Sequence, residues 1–201
     1  QKIKDITKAF KPISLQEMDE VSLMNRSDTK FLLPLRQTSE ILLDVLNDYS
    51  VLEINQDRIM TYNSLYFDTP KHDFYLCHHN GKFNRIKVRI RNYVESKIHF
   101  LEVKRKNGKG ITKKSRISLE GFERTLSEGS KKFVSQTTKG EFNLKPILEN
   151  RFNRITLVSK ANKERATLDF NLSFKNKTHH KVYNGLAIIE IKQEGVDRNS
   201  S

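Results

Sequence analysis

Arg85-Ile86-Lys87-Val88-Arg89-Ile90-Arg91 alternates basic and β-branched residues without a break. In an extended chain successive side chains point to opposite faces, so Arg85, Lys87, Arg89 and Arg91 share one side of a strand. Ile86, Val88 and Ile90 share the other. Same-face neighbours lie about 6.6 Å apart, and at an effective dielectric of about 20 each such pair repels by roughly 2.5 kcal/mol. If that face is enclosed, something anionic must offset it. Taken alone, the run also suits an antiparallel edge strand whose basic side meets water.

Other runs repeat the arrangement. Phe100–Lys106 sets Glu102, Lys104 and Lys106 on one side, and Arg165–Phe170 separates Arg165, Thr167 and Asp169 from Ala166, Leu168 and Phe170. Ala187–Lys192 does the same with Glu190 and Lys192, and Arg26–Phe31 collects Arg26, Asp28 and Lys30. Each opposite face is apolar and needs cover, so the charged sides line something while the greasy sides pack under helices. A closed antiparallel barrel with a charged interior, helices packed outside, satisfies both demands.

The 201 residues are expected to form a single domain, 1–201, with 36% hydrophobic and 30% charged residues. One cysteine, Cys77, excludes an internal disulfide framework and suits a reducing, cytoplasmic setting. No run is long and apolar enough to span a bilayer, and residues 1–10 lack the apolar core of a signal peptide, so a soluble chain is expected. The net charge of +13 implies an anionic partner. Asp28, Glu102, Asp169 and Glu190 share strand faces with Lys and Arg, which suits metal plus phosphate better than a specific nucleic-acid surface.

Ser14-Leu15-Gln16-Glu17 has capping-box spacing and opens a helix through about Met24, with Leu15, Met18 and Leu23 on one side. A first strand runs from about Arg26 to Leu33 and stops at Pro34. Thr38 or Ser39 caps a helix whose stripe is Ile41, Leu42, Val45, Leu46 and Tyr49. Strands follow at 51–54 and 58–67, then a short helical segment after Pro70. His72, His78 and His79 fit no zinc spacing and read as solvated loop residues beside Asn80-Gly81. Strands at 84–93, 98–106 and 111–119 come next, with Asn107–Gly110 as a hairpin turn rather than a phosphate loop. Residues 121–140 read as helical or irregular, 152–157 as a strand, 171–184 as a polar excursion with surface His179-His180, and 195 onward as frayed.

With these strands in order, the sequence resembles the catalytic domain of the vacuolar transporter chaperone family, the polyphosphate polymerase branch of the triphosphate tunnel metalloenzymes. The residues that carry the resemblance are Arg26-x-Asp28-x-Lys30-Phe31, Ser64–Pro70, Lys87–Tyr93, Leu101–Lys104, Lys114-Ser115-Arg116, Phe152-Asn153-Arg154, Arg165–Asp169 and Ile189–Lys192. They span about residues 26 to 193.

The resemblance implies an α+β fold built on a closed eight-stranded antiparallel barrel, the triphosphate tunnel. It further implies a divalent metal, Mn2+ or Mg2+, and ATP with polyphosphate or triphosphate as partners. Carried over, Lys30, Arg89, Arg91, Lys104, Lys114, Arg116, Arg154 and Arg165 would grip phosphate oxygens, and Glu190 would hold the metal. Glu102 is a second metal candidate, and an ion pair with Lys104 or a neighbouring arginine is its alternative role. Asp169 could equally partner Arg165. No general base is assigned, because an ionised phosphate oxygen needs none.

The implied activity is transfer of the terminal phosphate of ATP to a polyphosphate chain. The alternatives are an inorganic or nucleoside triphosphatase of the same fold, and a non-catalytic polyphosphate-binding module. Triphosphate-hydrolysing relatives usually begin Glu-x-Glu-x-Lys; Arg26-x-Asp28-x-Lys30 lacks the first glutamate and favours the polymerase branch. The family commonly continues into a further lysine-bearing helix, and residues 1–201 stop short of it. Without the regulatory domain and membrane helices of eukaryotic members, a stand-alone bacterial form is implied.

Overall fold

The computed structural model of the protein describes residues 2–20 and 26–194. In chain order the elements are α1 (Lys2–Ala9), β1 (Lys11–Ile13), α2 (Leu15–Glu20), β2 (Arg26–Pro34), a 3-10 turn (Leu35–Gln37), α3 (Thr38–Asp44), β3 (Tyr49–Leu52) and β4 (Met60–Asp68). Then come α4 (Asp73–His79), β5 (Arg85–Tyr93), β6 (Ile98–Lys106), β7 (Thr112–Leu119), α5 (Glu128–Thr138), β8 (Lys145–Ser159), β9 (Glu164–Lys175) and β10 (His180–Glu194). The expected extension of α2 through Leu23 to Met24, and the fraying from 195, lie outside the described residues.

The strands make one 10-stranded sheet in the order β2-β10-β9-β8-β4-β5-β6-β7, with β1 and β3 joined to it off that path. The closed eight-stranded barrel expected from the sequence is not formed. β2 and β7 are the two end strands of the order, and among the described residues neither pairs with the other. Both carry what blunts a sheet edge: Lys30 and Pro34 on β2, and exposed Lys113 and Lys114 on β7. Pairing is antiparallel in the registers that define the site, while β1 and β3 run parallel.

The chain divides into two compact units. The first comprises Gln1–Thr61, Phe152–Ser173 and Val182–Ser201. Its core gathers Phe10, Leu42, Val51, Ile155, Leu168 and Ala187, with Ile3 and Ile6 of α1 and Ile41 of α3 packed against them. Fully burying side chains of this size contributes about 1.5–3 kcal/mol each. Arg58 secures α1, donating from Nη1 to the carbonyls of Thr7 at 2.6 Å and Phe10 at 3.1 Å, acceptors that a helix end leaves open. The capping box forms as read: Glu17 Oε2 accepts from the Ser14 amide at 2.8 Å, while Ser14 Oγ accepts from the Glu17 amide at 3.2 Å.

The second unit comprises Tyr62–Arg151 and Phe174–Lys181. Val88 and Ile90 from β5, Leu101 and Val103 from β6, and Leu65 and Phe67 from β4 form its core, covered by Phe74 of α4 and Val134 of α5. The apolar alternation of β5 therefore faces inward, which commits Arg85, Lys87, Arg89 and Arg91 to the opposite side. Buried Asp68 fastens α4 to the end of β4: Oδ1 accepts from the amides of Thr69 at 2.7 Å and Phe74 at 2.9 Å, and Oδ2 from Tyr75 at 2.8 Å. Residues 128–138 form a capped helix, with Ser127 Oγ accepting from the Ser130 amide. His78 and His79 belong to α4 rather than to a loop.

Candidate functional site

In the second unit, hydrogen-bond register turns the alternating strands into a grid of side chains. Tyr66, Arg89, Glu102 and Arg116 stand opposite one another across β4, β5, β6 and β7, as do Ser64, Arg91, Phe100 and Ser118. The next rows toward the start of β5 are Lys87-Lys104-Lys114 and Arg85-Lys106-Thr112. The grid thus brings together Arg89, Arg91, Glu102, Lys104, Lys114 and Arg116 among the residues expected from the sequence.

The centre of the grid is rigidly held. Arg89 Nε donates to Glu102 Oε2 at 2.6 Å and Arg89 Nη1 to the Tyr66 hydroxyl at 3.2 Å. Arg91, buried, donates from Nε to Ser64 Oγ at 3.0 Å and lies over the Tyr62 ring at 5.2 Å. Arg116 lies over the Phe100 ring at 4.5 Å. Burial depresses the proton affinity of Arg91, and the neighbouring Arg89 depresses it further, an effect Glu102 only partly opposes. For Arg89, burial pulls the same way, but Tyr66 and Glu102 outweigh it and raise its proton affinity. Tyr66 is pushed up by burial and pulled down further by Arg89, so its hydroxyl is more acidic than usual. Positive charge is in excess around Arg91, and oxyanions are what that field favours.

In the first unit, Lys30 of β2 stands opposite Glu190 of β10, and Asp28 opposite Lys192. Glu190 accepts a hydrogen bond from Lys192 Nζ, and Lys30 Nζ lies 3.4 Å from its other oxygen. Burial alone would raise the Glu190 carboxyl; Lys192 first, then Lys30 and Arg154, hold it below its ordinary value. Arg154 grips Asp169 with two bonds, Nε and Nη2 each at 2.6 Å. Arg165 instead donates from Nη2 to the Met18 carbonyl at 2.6 Å. Thr167 Oγ1, on the same face of β9 as Arg165 and Asp169, is buried without a hydrogen-bond partner.

Lys30, Arg154 and Glu190 thus share one neighbourhood, while Arg165 is tied to a backbone carbonyl. Glu102 is paired with Arg89, and Asp169 with Arg154 rather than Arg165. Sequence reasoning did not single out Ser64, Tyr66 and Lys192 as site residues. Their signal was present: Ser64 and Tyr66 alternate in β4 as Arg91 and Arg89 do in β5, and Lys192 follows Glu190 at the two-residue spacing of one strand face.

A divalent ion bound with phosphate needs only one or two protein carboxylates, the remaining oxygens coming from substrate and water. The donor set fits that arrangement: Glu190 is a partly buried carboxylate held ionised by its neighbours. It does not fit an ion held by protein alone, since among the described residues no group of three or more His, Cys, Asp or Glu converges.

The VTC domain family matches residues 25–200 of this chain. No curated protein sequence matches it. Among solved structures, a candidate adenylate cyclase from Vibrio parahaemolyticus is similar at 12% identity and a TM-score of 0.50, covering 88% of this chain and 81% of that one. A candidate adenylyl cyclase from Hippeastrum, described as having a dominant triphosphatase activity, is similar at 17% identity and a TM-score of 0.50, covering 86% and 80%. At these identities the likeness is one of fold.

Proposed function

This chain belongs to the VTC domain family, within a superfamily of phosphotransferases and phosphohydrolases that are typically metal-dependent, and we propose that it transfers the terminal phosphate of ATP to a polyphosphate chain. The observation that carries the reading is the buried Arg91 beside Arg89, in register with strands that add Lys104, Lys114 and Arg116. Phosphoryl transfer asks the protein for positioning and for neutralisation of oxygens rather than for covalent chemistry.

In this reading Arg89, Arg91, Lys104, Lys114 and Arg116 hold phosphate oxygens, the arginines through their planar forks and the lysines as point charges. Lys30, Arg154 and Arg165 hold phosphate oxygens as well. The terminal oxygen of the accepting chain attacks the γ-phosphorus, the bond from that phosphorus to the β–γ bridging oxygen breaks, and ADP leaves. That attacking oxygen is already ionised, so no side chain is asked to take a proton. A divalent ion, Mn2+ or Mg2+, would be held by Glu190 and when bound neutralises charge on the phosphoryl oxygens. Lys192 and Lys30 keep Glu190 ionised, the form in which its carboxylate would hold such an ion. A reducing, cytoplasmic setting suits the lone Cys77.

A second reading, hydrolysis of triphosphate by the same grip, draws on the fold shared with the Hippeastrum protein. Incubation with ATP and Mn2+, followed by gel separation of products and a free-phosphate assay, separates the two. Acid-stable chains with ADP support transfer to polyphosphate; free phosphate with ADP and no chains supports hydrolysis; neither product overturns both.

A further inference from the structure

The row Lys87-Lys104-Lys114 differs from its neighbour at Glu102. Three ammonium side chains stand in direct register on adjacent strands, about 4.8 Å apart per step, and no position of the row is acidic. Each of the three has contacts of its own, yet their charges add, and like charges directly opposite one another are unfavourable in a sheet. Such a row is stabilised by an anion laid across it. All three lysines are exposed, so the row is open to solvent.

One more group adjoins it. His78, near the end of α4, has Nε2 3.4 Å from Lys87 Nζ, and that nitrogen can accept from the ammonium only while it carries no proton. The charged groups facing His78 are His79 on its own helix, Arg85 and Lys87 on β5, and Lys104 on β6. Burial and then these cations hold its proton affinity below the ordinary value of 6.5.

We propose that Lys87, with His78 beside it, lengthens the phosphate grip centred on Arg89 and Arg91, so that chains longer than a triphosphate are held across the lysine row. This rests on the phosphate-transfer reading above and extends it to two residues outside the expected set. An inorganic polyphosphate carries negative charge at every link, so links beyond the third meet Lys87 and His78 about 6.6 Å further along β5. An arriving phosphate reverses the field at His78, which then takes up a proton and donates to the chain. Binding of long chains therefore tightens as pH falls toward 6.

The test is calorimetric titration of the whole chain with tripolyphosphate and with long-chain polyphosphate at about pH 6 and pH 8. Lys87→Gln should weaken long-chain binding about three- to fivefold, the range for an exposed charge pair, and leave tripolyphosphate unchanged. Lys131→Gln, which removes the same charge from α5, should change neither. His78→Gln should leave long-chain affinity at pH 8 as it is and remove part of the gain at pH 6. The proposal is overturned if Lys87→Gln spares long chains, weakens both ligands equally, or behaves as Lys131→Gln does. If the wild-type protein binds neither ligand, the phosphate-transfer reading falls with it; tripolyphosphate binding with a silent Lys87→Gln sinks only the extension.

Discussion

Arg89 Nε meets Glu102 Oε2 at 2.6 Å across the β5–β6 register, with side chains 27% and 19% exposed. On β7 the residue opposite Glu102 is Arg116, whose guanidinium lies over the Phe100 ring, so the carboxylate is paired with Arg89 in a row that carries a second arginine. A half-buried carboxylate so placed offsets repulsion in the empty grid and competes with any anion that enters.

Glu102→Gln keeps the shape of the side chain and removes that charge. Stability should fall by about 1.5–3 kcal/mol, the scale of a lost charged hydrogen bond. Tripolyphosphate should bind more tightly, because the arginines lose their internal counter-ion. Thermal denaturation and calorimetric titration measure the two effects. Weaker anion binding together with a lost response to Mn2+ would instead assign Glu102 to the metal.

Arg91 and Lys106 belong to the same pair of strands but to different environments. Arg91 is buried against Ser64 and Tyr62, whereas Lys106 ends β6 beside the 107–110 turn. Arg91→Ala should weaken tripolyphosphate binding about tenfold or more, as expected when charge-assisted bonds worth roughly 1.5–3 kcal/mol are lost. Lys106→Ala should change it less than twofold, in keeping with a partly exposed charge at the end of its strand, two rows from Arg89. Equal losses in a titration would show that net charge, not the Arg91 position, attracts the ligand.

Asp68 is an acid inside a motif that carried the family resemblance, yet its three bonds all go to backbone amides. Its work is structural, since a buried carboxylate satisfying three amides cannot be removed without leaving donors open. Asp68→Ala should cost about 2–4 kcal/mol of stability and leave tripolyphosphate affinity of the folded protein intact. A denaturant melt with a titration at low temperature checks both parts. Loss of affinity in protein that still melts as wild type would make Asp68 a ligand-binding residue.

These cases mark what the sequence made legible. The strands β5 to β7 were readable because period-two alternation of Ile and Val with charge is strong, and the basic residues could be assigned to a face before any partner was known. β8 begins at Lys145, seven residues before the strand read from Phe152, because Pro146, Glu149 and Asn150 are poor strand formers whose pairing comes from neighbours. α1 escaped notice because what anchors it, Arg58, lies 51 and 48 residues away from the carbonyls it binds. Closure of the sheet, and the choice of Arg154 over Arg165 for Asp169, depend on which strands meet and in which register. Alternation along a single strand does not carry that information.

Glu190 yields a prediction whose sign can be worked out. Lys192 and then Lys30 hold its carboxyl below the ordinary value of 4.5 in the folded protein, against the upward push of burial. The unfolded chain therefore takes up its proton first as pH falls, so the stability due to Glu190 is complete above pH 4.5 and is lost below it, through the folded value. Most of the effect belongs to Lys192, whose side chain is 14% exposed, since Lys30 is 65% exposed and screened by solvent. Glu190→Gln should lower the melting temperature at pH 7, and the gap from wild type should close as pH falls from 4.5 toward 3. The same variant should lose Mn2+-dependent turnover of ATP while keeping the wild-type circular dichroism spectrum. A gap in melting temperature that stays constant across this range would show that the ion pair is not what holds Glu190, and turnover that persists would remove it from the metal site.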